Sequence, residues 1–122
     1  MIIGLLLFPR VTQLDLTGPW EILRRVPGAS VHLLWKNTDV PVLCDGGLQI
    51  LPSMQMKGCP QLDVLVVPGG PGQVELMNDD AVLAWVAMQG AAAQWVSPVC
   101  TGSLLLGGPG LMSGYCPTRH CL

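Results

Sequence analysis

Apolar residues in this chain gather in short unbroken runs, and each run stops at a proline, a glycine or a polar cluster. Runs without polar alternation belong to strands covered on both faces. Ile2-Ile3-Gly4-Leu5-Leu6-Leu7-Phe8, closed by Pro9, predicts a first strand over 2–8. VHLLWK predicts a second over 31–36, Asp63-Val64-Leu65-Val66-Val67 a third, and residues 95–99 a fourth. The stretch 40–51 alternates less clearly around Gly46-Gly47 and predicts a hairpin or a crossing β-arm.

Helical signals fall between these runs. Gly18 suits an N-cap, Pro19 the first helical position and Glu21 the acid-favouring first turn, with Pro27-Gly28 as the stop. Ile22, Leu23 and Val26 would face inward. A second helix is predicted over 80–94, capped by Asn78 or Asp79, with Leu83, Trp85 and Val86 inward. A third would follow the fourth strand to about Leu106, where Gly107-Gly108-Pro109-Gly110 breaks it. Strand, helix, strand, β-arm, strand, helix, strand, helix is the order of an α/β sandwich with a mainly parallel sheet.

Composition sharpens this picture. The 122 residues suffice for one small domain. Only 11% are charged, against about 25% in an ordinary soluble domain, so the strands are buried on both faces or a large apolar surface awaits a partner. A formal charge of -2, with Arg24-Arg25 as an isolated pair, gives no electrostatic reason to expect nucleic acid. The N-terminal run has no basic region before it and ends at Pro9-Arg10, far short of a membrane span. The expectation is a cytoplasmic protein without a membrane partner. Its five cysteines, odd in number, irregular in spacing and without a CxxC, read as reduced thiols and not as a zinc site.

A parallel α/β sheet places its site in the crevice beyond the carboxyl ends of its strands. Three segments lead there: the first strand towards Asp15, the third towards Gly69 and Gly70, the fourth towards Cys100 and Thr101. In VCTGSLLL a strand turns into a helix at a thiol, the pattern of a nucleophile elbow. Gly102 leaves room for the turn, and the new helix would aim its free N–H groups at the sulfur and favour the thiolate. Asp15, shielded by Leu14, Leu16 and Pro9, would be the proton donor. Gly70 and Thr101 would offer backbone N–H groups to developing negative charge.

Each residue also has a plainer reading. A lone cysteine is most often buried. Asp15 suits a helix cap or an Asx turn. Pro68-Gly69-Gly70-Pro71-Gly72 matches neither GxGxxG nor a phosphate loop with its lysine, and reads as a turn with unusual backbone angles. His32 sits mid-strand as a packed or edge residue, and His120 lies in the last three residues, so no Cys–His pair is visible. The tryptophans read as core or pocket wall. Met54 and Met56 suit a pocket lining or a filled core gap.

QLDLTGP, VVPGG and VCTGSLLLG in that order resemble the ThiJ/PfpI superfamily, which has a class I glutamine amidotransferase-like fold. The resemblance covers residues 1 to about 114. It implies a flavodoxin-like three-layer sandwich that dimerises and works without metal or organic cofactor. It implies Cys100 as nucleophile, Asp15 as partner carboxylate and Thr101 as the residue after the elbow, with Gly69, Gly70 and Gly102 around the substrate. The protease-like and glyoxalase-like branches have histidine where this chain has Thr101. That difference points to the branch that hydrates isonitriles to N-substituted formamides, a hydro-lyase reaction.

Two alternatives stand beside it. One is a non-enzymatic sensor domain of a transcription regulator, since some regulators carry a similar DLxGP segment before a helix-turn-helix module. The other is a redox-sensing or purely structural role for Cys100. The resemblance ends at Gly114, and Tyr115 to Leu122 read as an aberrant tail from a shifted frame or a truncated gene. On that reading the C-terminal part of the fold is missing and apolar surface is left open.

Overall fold

In the structure, a computed structural model, residues 1–98 are described. The central strand β1 (Ile2–Leu6) is buried on both faces from Ile3 onward. Parallel partners flank it: β2 (Ser30–Trp35) with Ile3 opposite Val31, and β6 (Val64–Val67) with Gly4 opposite Leu65. β7 (Trp95–Pro98) runs parallel to β6 and pairs Val67 with Pro98. A short strand β5 (Met54–Gln55) closes the other edge, giving the order β5-β2-β1-β6-β7. The hairpin expected over 40–51 is present as β3 (Val42–Leu43) and β4 (Gln49–Ile50), antiparallel and outside the main sheet.

Helix α1 (Gln13–Leu23) links β1 to β2, while α2 (Gln73–Leu76) and α3 (Asp80–Ala92) link β6 to β7. Right-handed crossovers running in opposite directions put α1 and α3 on opposite faces of the sheet. This is the mainly parallel, flavodoxin-like α/β arrangement expected from the alternation of runs. The core includes Leu5, Leu6, Leu34, Leu65 and Val67 of the sheet and Leu7 and Phe8 just after β1, with Leu16 of α1 and Val82, Trp85 and Val86 of α3.

α3 starts as predicted, and the choice between Asn78 and Asp79 falls on Asp79, whose carboxylate accepts from the Val82 N–H at 3.2 Å. Trp85 and Val86 point inward, and Leu83 is partly buried against the core. Gln89 is buried, yet every polar end has a partner. Its Oε1 accepts from the Leu62 N–H at 2.9 Å, its Nε2 donates to the Pro60 carbonyl at 3.1 Å, and its own carbonyl accepts from Gln61 Nε2 at 3.1 Å. One side chain thereby ties the return loop before β6 to α3.

α1 departs from expectation. Gly18 is no cap and Pro19 no first residue: both lie inside a helix that begins at Gln13, with Thr12 extended at the N-cap. Pro19 has no N–H to give, which usually weakens a helix interior by about 3 kcal/mol. Burial of Leu16 and the packing of Trp20 and Leu23 against the sheet offset that penalty. The earlier start also turns the inner face: Leu23 stays against the core, but Ile22 is 70% and Val26 39% exposed. Trp95, expected in the core or a pocket wall, is 65% exposed on β7, the outermost strand on that side among the described residues.

Candidate active site

The strand order reverses between β1 and β6. The chain steps from β1 outward to β2 and β5, then returns to the other side of β1. Two loops leaving neighbouring strands in opposite directions open a crevice at their carboxyl ends, where doubly wound sheets bind ligands. The loop after β1 carries Pro9 to Thr12, and the loop after β6 carries Pro68 to Gly72.

Backbone bonds stitch these loops together. The Thr12 N–H donates to the Gly69 carbonyl at 3.0 Å, and the Gly72 N–H donates to the Arg10 carbonyl at 3.1 Å. The β3–β4 hairpin closes over the same loop, where the Arg10 N–H donates to the Leu43 carbonyl at 2.8 Å and the Asp45 N–H to the Val11 carbonyl at 2.9 Å. The approach is close enough to exclude side chains. A Cβ on Gly72 would stand 1.9 Å from the Pro9 oxygen, and one on Gly70 would stand 2.5 Å from the Thr12 nitrogen. Gly70 also has φ +140, the unusual angle expected of this turn.

Asp15 lies in the first turn of α1, its N–H donating to the Thr12 carbonyl at 3.1 Å. It therefore rides on a helix rather than on a loop before one. Of its three expected shields only Leu16 is buried; Leu14 is 69% exposed and Pro9 faces solvent. Gly69 is buried and Gly70 half-buried. The structure thus brings the start of α1, with Asp15, and the Gly69–Gly70 turn to one crevice. Cys100, Thr101 and Gly102 lie outside the described residues, as do His120, the predicted third helix and the 115–122 tail.

Three features of the crevice had no counterpart in the sequence reading. Arg10 has φ +62, a left-handed conformation unfavourable for a side-chain-bearing residue. Its backbone is held from both sides by Leu43 and Gly72, and its guanidinium pairs with Glu75 of α2 at 3.0 Å. Gln73 is buried, its Nε2 donating to the Pro68 carbonyl at 3.1 Å, while its Oε1 has no partner among the described residues. Gly72 is the third, since only a close approach, invisible in sequence, distinguishes it from any other loop glycine.

Elsewhere, burial pushes the Cys44 and Cys59 thiols up from their ordinary value, so both resist ionisation. The Lys36 ammonium bonded to Asp79 holds that carboxyl below its usual range. His32 is half-buried on β2 with Ser30 Oγ 3.1 Å from its Nε2. Among the described residues no group of three or more His, Cys, Asp or Glu side chains could hold a metal ion, and no helix is long and apolar enough to cross a membrane.

A mainly parallel sheet with reversed order, a glycine turn after β6 and an acidic residue opening α1 define an α/β protein with a crevice site. The chain belongs to the DJ-1/PfpI family, whose description matches residues 1–121. It is 50% identical over 118 residues to an isonitrile hydratase of Pseudomonas putida, a match covering 97% of this chain and 51% of that protein. It is 30% identical over 123 residues to the HTH-type transcriptional regulator GbdR of Pseudomonas aeruginosa, covering 97% of this chain and 33% of that protein. Among solved structures, a ThiJ/PfpI family protein from Pseudomonas syringae superposes with a TM-score of 0.85 at 39% identity, covering 90% of this chain and 46% of that one. The chain spans about half the length of the hydratase and a third of the regulator.

Proposed function

We propose that the chain carries the site of a cysteine-dependent isonitrile hydratase. The observation that carries this reading is the 50% identity to such an enzyme across nearly the whole chain. The crevice supports it, for Asp15 opens α1 beside the Gly69–Gly70 turn, and β7 pairs Pro98 with Val67 two residues before Cys100 in the sequence.

The chemistry needs a nucleophile and a proton at the same carbon. The Cys100 thiolate attacks the terminal carbon of R–NC, and the proton from Asp15 goes to that carbon. The product is an enzyme-bound thioimidate, R–N=CH–S. Water then adds to the carbon, one of its protons going to the nitrogen; as the C–S bond breaks and the thiolate returns, the hydroxyl proton passes back to the Asp15 carboxylate, releasing R–NH–CHO and restoring the acid. The sum is one isonitrile and one water per formamide, with no redox change and no role for metal or organic cofactor. Thr101 and the Gly69, Gly70 and Gly102 backbones stabilise charge and seat the substrate in this scheme. The reading includes a cytoplasmic homodimer, for which Leu14 and Ile22, both largely exposed on α1, offer apolar contact surface.

Formamide formation from cyclohexyl isocyanide, followed by proton NMR with the full chain, tests the reaction. Cys100→Ala and Asp15→Asn are expected to reduce turnover to background while the circular dichroism spectrum is kept. Turnover surviving in either variant, or absent from the unmodified chain, overturns the proposal. A second reading, a sensor domain, draws on the 30% identity to GbdR. It predicts saturable ligand binding with no chemical conversion, unaffected by Cys100→Ala.

A further inference from the structure

A second concavity lies two strands away from the crevice, beyond the carboxyl ends of β2 and β5. It is a cavity of about 440 Å³, lined by Lys36, Met56, Lys57, Ala81, Val82 and Trp85. That size falls in the ~300–1,000 Å³ range of small-molecule sites.

Its walls are fixed by hydrogen bonds. The Met56 N–H donates to the Trp35 carbonyl at 2.9 Å, which anchors the wall to the end of β2. Trp85 Nε1 donates to the Met56 carbonyl at 3.0 Å, which holds the indole from α3 against that wall. Lys36 spans the remaining side by pairing with Asp79, the cap of α3, and its ammonium stands 5.5 Å from the Trp35 ring centroid. Met56, Val82 and Trp85 are buried, so the floor is apolar.

The two lysines that line the cavity differ in their pairing. Lys36 and Asp79 neutralise each other, whereas Lys57 is exposed and has no ion pair among the described residues. An apolar floor beside one unpaired ammonium complements a molecule with an apolar body and a single negative charge. The geometry points to a binding site here for a small amphipathic carboxylate, separate from the β1–β6 crevice and independent of whatever reaction occurs there.

Phenylbutyrate and its uncharged analogue phenylbutanol are suitable probes, titrated into the ¹⁵N-labelled full chain while the Trp85 indole N–H and the Lys57, Ala81 and Val82 amides are followed by NMR. Phenylbutyrate is expected to shift these signals saturably and to bind several-fold more tightly than the alcohol. Lys57→Glu, a change at an exposed position, is expected to weaken phenylbutyrate about tenfold, as attraction becomes repulsion, and to leave the alcohol unchanged. The inference is overturned by equal affinity for acid and alcohol, by shifts confined to other residues, or by phenylbutyrate binding that Lys57→Glu does not alter. An unliganded Lys57→Glu spectrum matching that of the unmodified chain excludes misfolding as the cause.

Discussion

The junction of the β1 and β6 loops and the solvent face of α1 are held by different forces. At the junction, main chain meets main chain: Arg10, Thr12, Gly69 and Gly72 exchange backbone hydrogen bonds with no room for a Cβ at Gly72. On the outer face of α1, Glu21 bonds Arg24 at 2.8 Å and Arg25 at 2.6 Å through side chains that are about half exposed or more. Water competes for the second set, whereas the first joins main-chain groups of which Gly69 and Gly72 are buried. Geometry is therefore fixed at the crevice and loose on the helix surface, which is the division a site needs if its groups are to converge from separate strands.

Two glycines make the sharpest test of this contrast. Gly72→Ala drives a methyl to 1.9 Å from the Pro9 oxygen, a backbone atom that cannot rotate away. We expect a loss of about 3 kcal/mol or more in urea unfolding, or failure to fold. Gly18, inside α1, has nothing beyond its own helix and chain neighbours within 4 Å of the corresponding position; the about 0.5–1 kcal/mol that alanine adds to a helix interior is opposed by crowding against the Pro19 ring that follows, so Gly18→Ala should change stability by less than about 1 kcal/mol. Similar effects of the two substitutions would remove the distinction between the regions.

Arg10 gives the next largest effect. Its φ of +62 suits glycine and penalises β-branched residues most. Arg10→Gly gives up an ion pair whose partners are 55% and 62% exposed, worth about 0–1 kcal/mol, and relieves strain of about 1–2 kcal/mol. The expected net change is within about 1 kcal/mol of zero. Arg10→Val loses the same pair and adds strain, so it should unfold at least about 1–2 kcal/mol sooner. Equal midpoints for the two variants would mean that the left-handed backbone at Arg10 is not enforced by its neighbours.

The sheet was readable from sequence because its strands are unbroken apolar runs: β1 and β6 are buried on both faces, β2 is partly buried along most of its length, and these three and β7 fall within a residue or two of their runs. α3 was readable because Asp79 and the inward Trp85 and Val86 are local signals. α1 was misjudged because Gly18-Pro19 is a strong local start signal, overridden by packing of Leu16 and by the Thr12–Gly69 bond, neither of which is local. β5 exists only through its pairing with β2, and α2 is a single turn, so both were missed. At the site, Asp15, Gly69 and Gly70 stood out by motif, and two strands that are neighbours only in space bring them together. The strain at Arg10, the buried Gln73 amide and the closed space at Gly72 arise from contacts between loops about sixty residues apart, which periodicity does not encode.

The smallest effect belongs to the ion pairs on α1, and pH isolates it. The hydrogen bond from Arg24, followed by that from Arg25, holds the Glu21 carboxyl down to about 2 from its usual 4.5. A carboxyl lowered in the folded state stabilises it above the unfolded pKa, and that contribution disappears as pH falls through the folded pKa. Any difference between the chain and Glu21→Gln should therefore be present at pH 7, shrink between about 4.5 and 2, and vanish below that window. Solvent screening keeps it small, and half-molar salt should diminish it further. Urea midpoints of the two proteins across this range measure it directly. A gap that persists unchanged below pH 2 would mean that Glu21 acts through packing or helix propensity, and would bring this surface closer in kind to the loop junction.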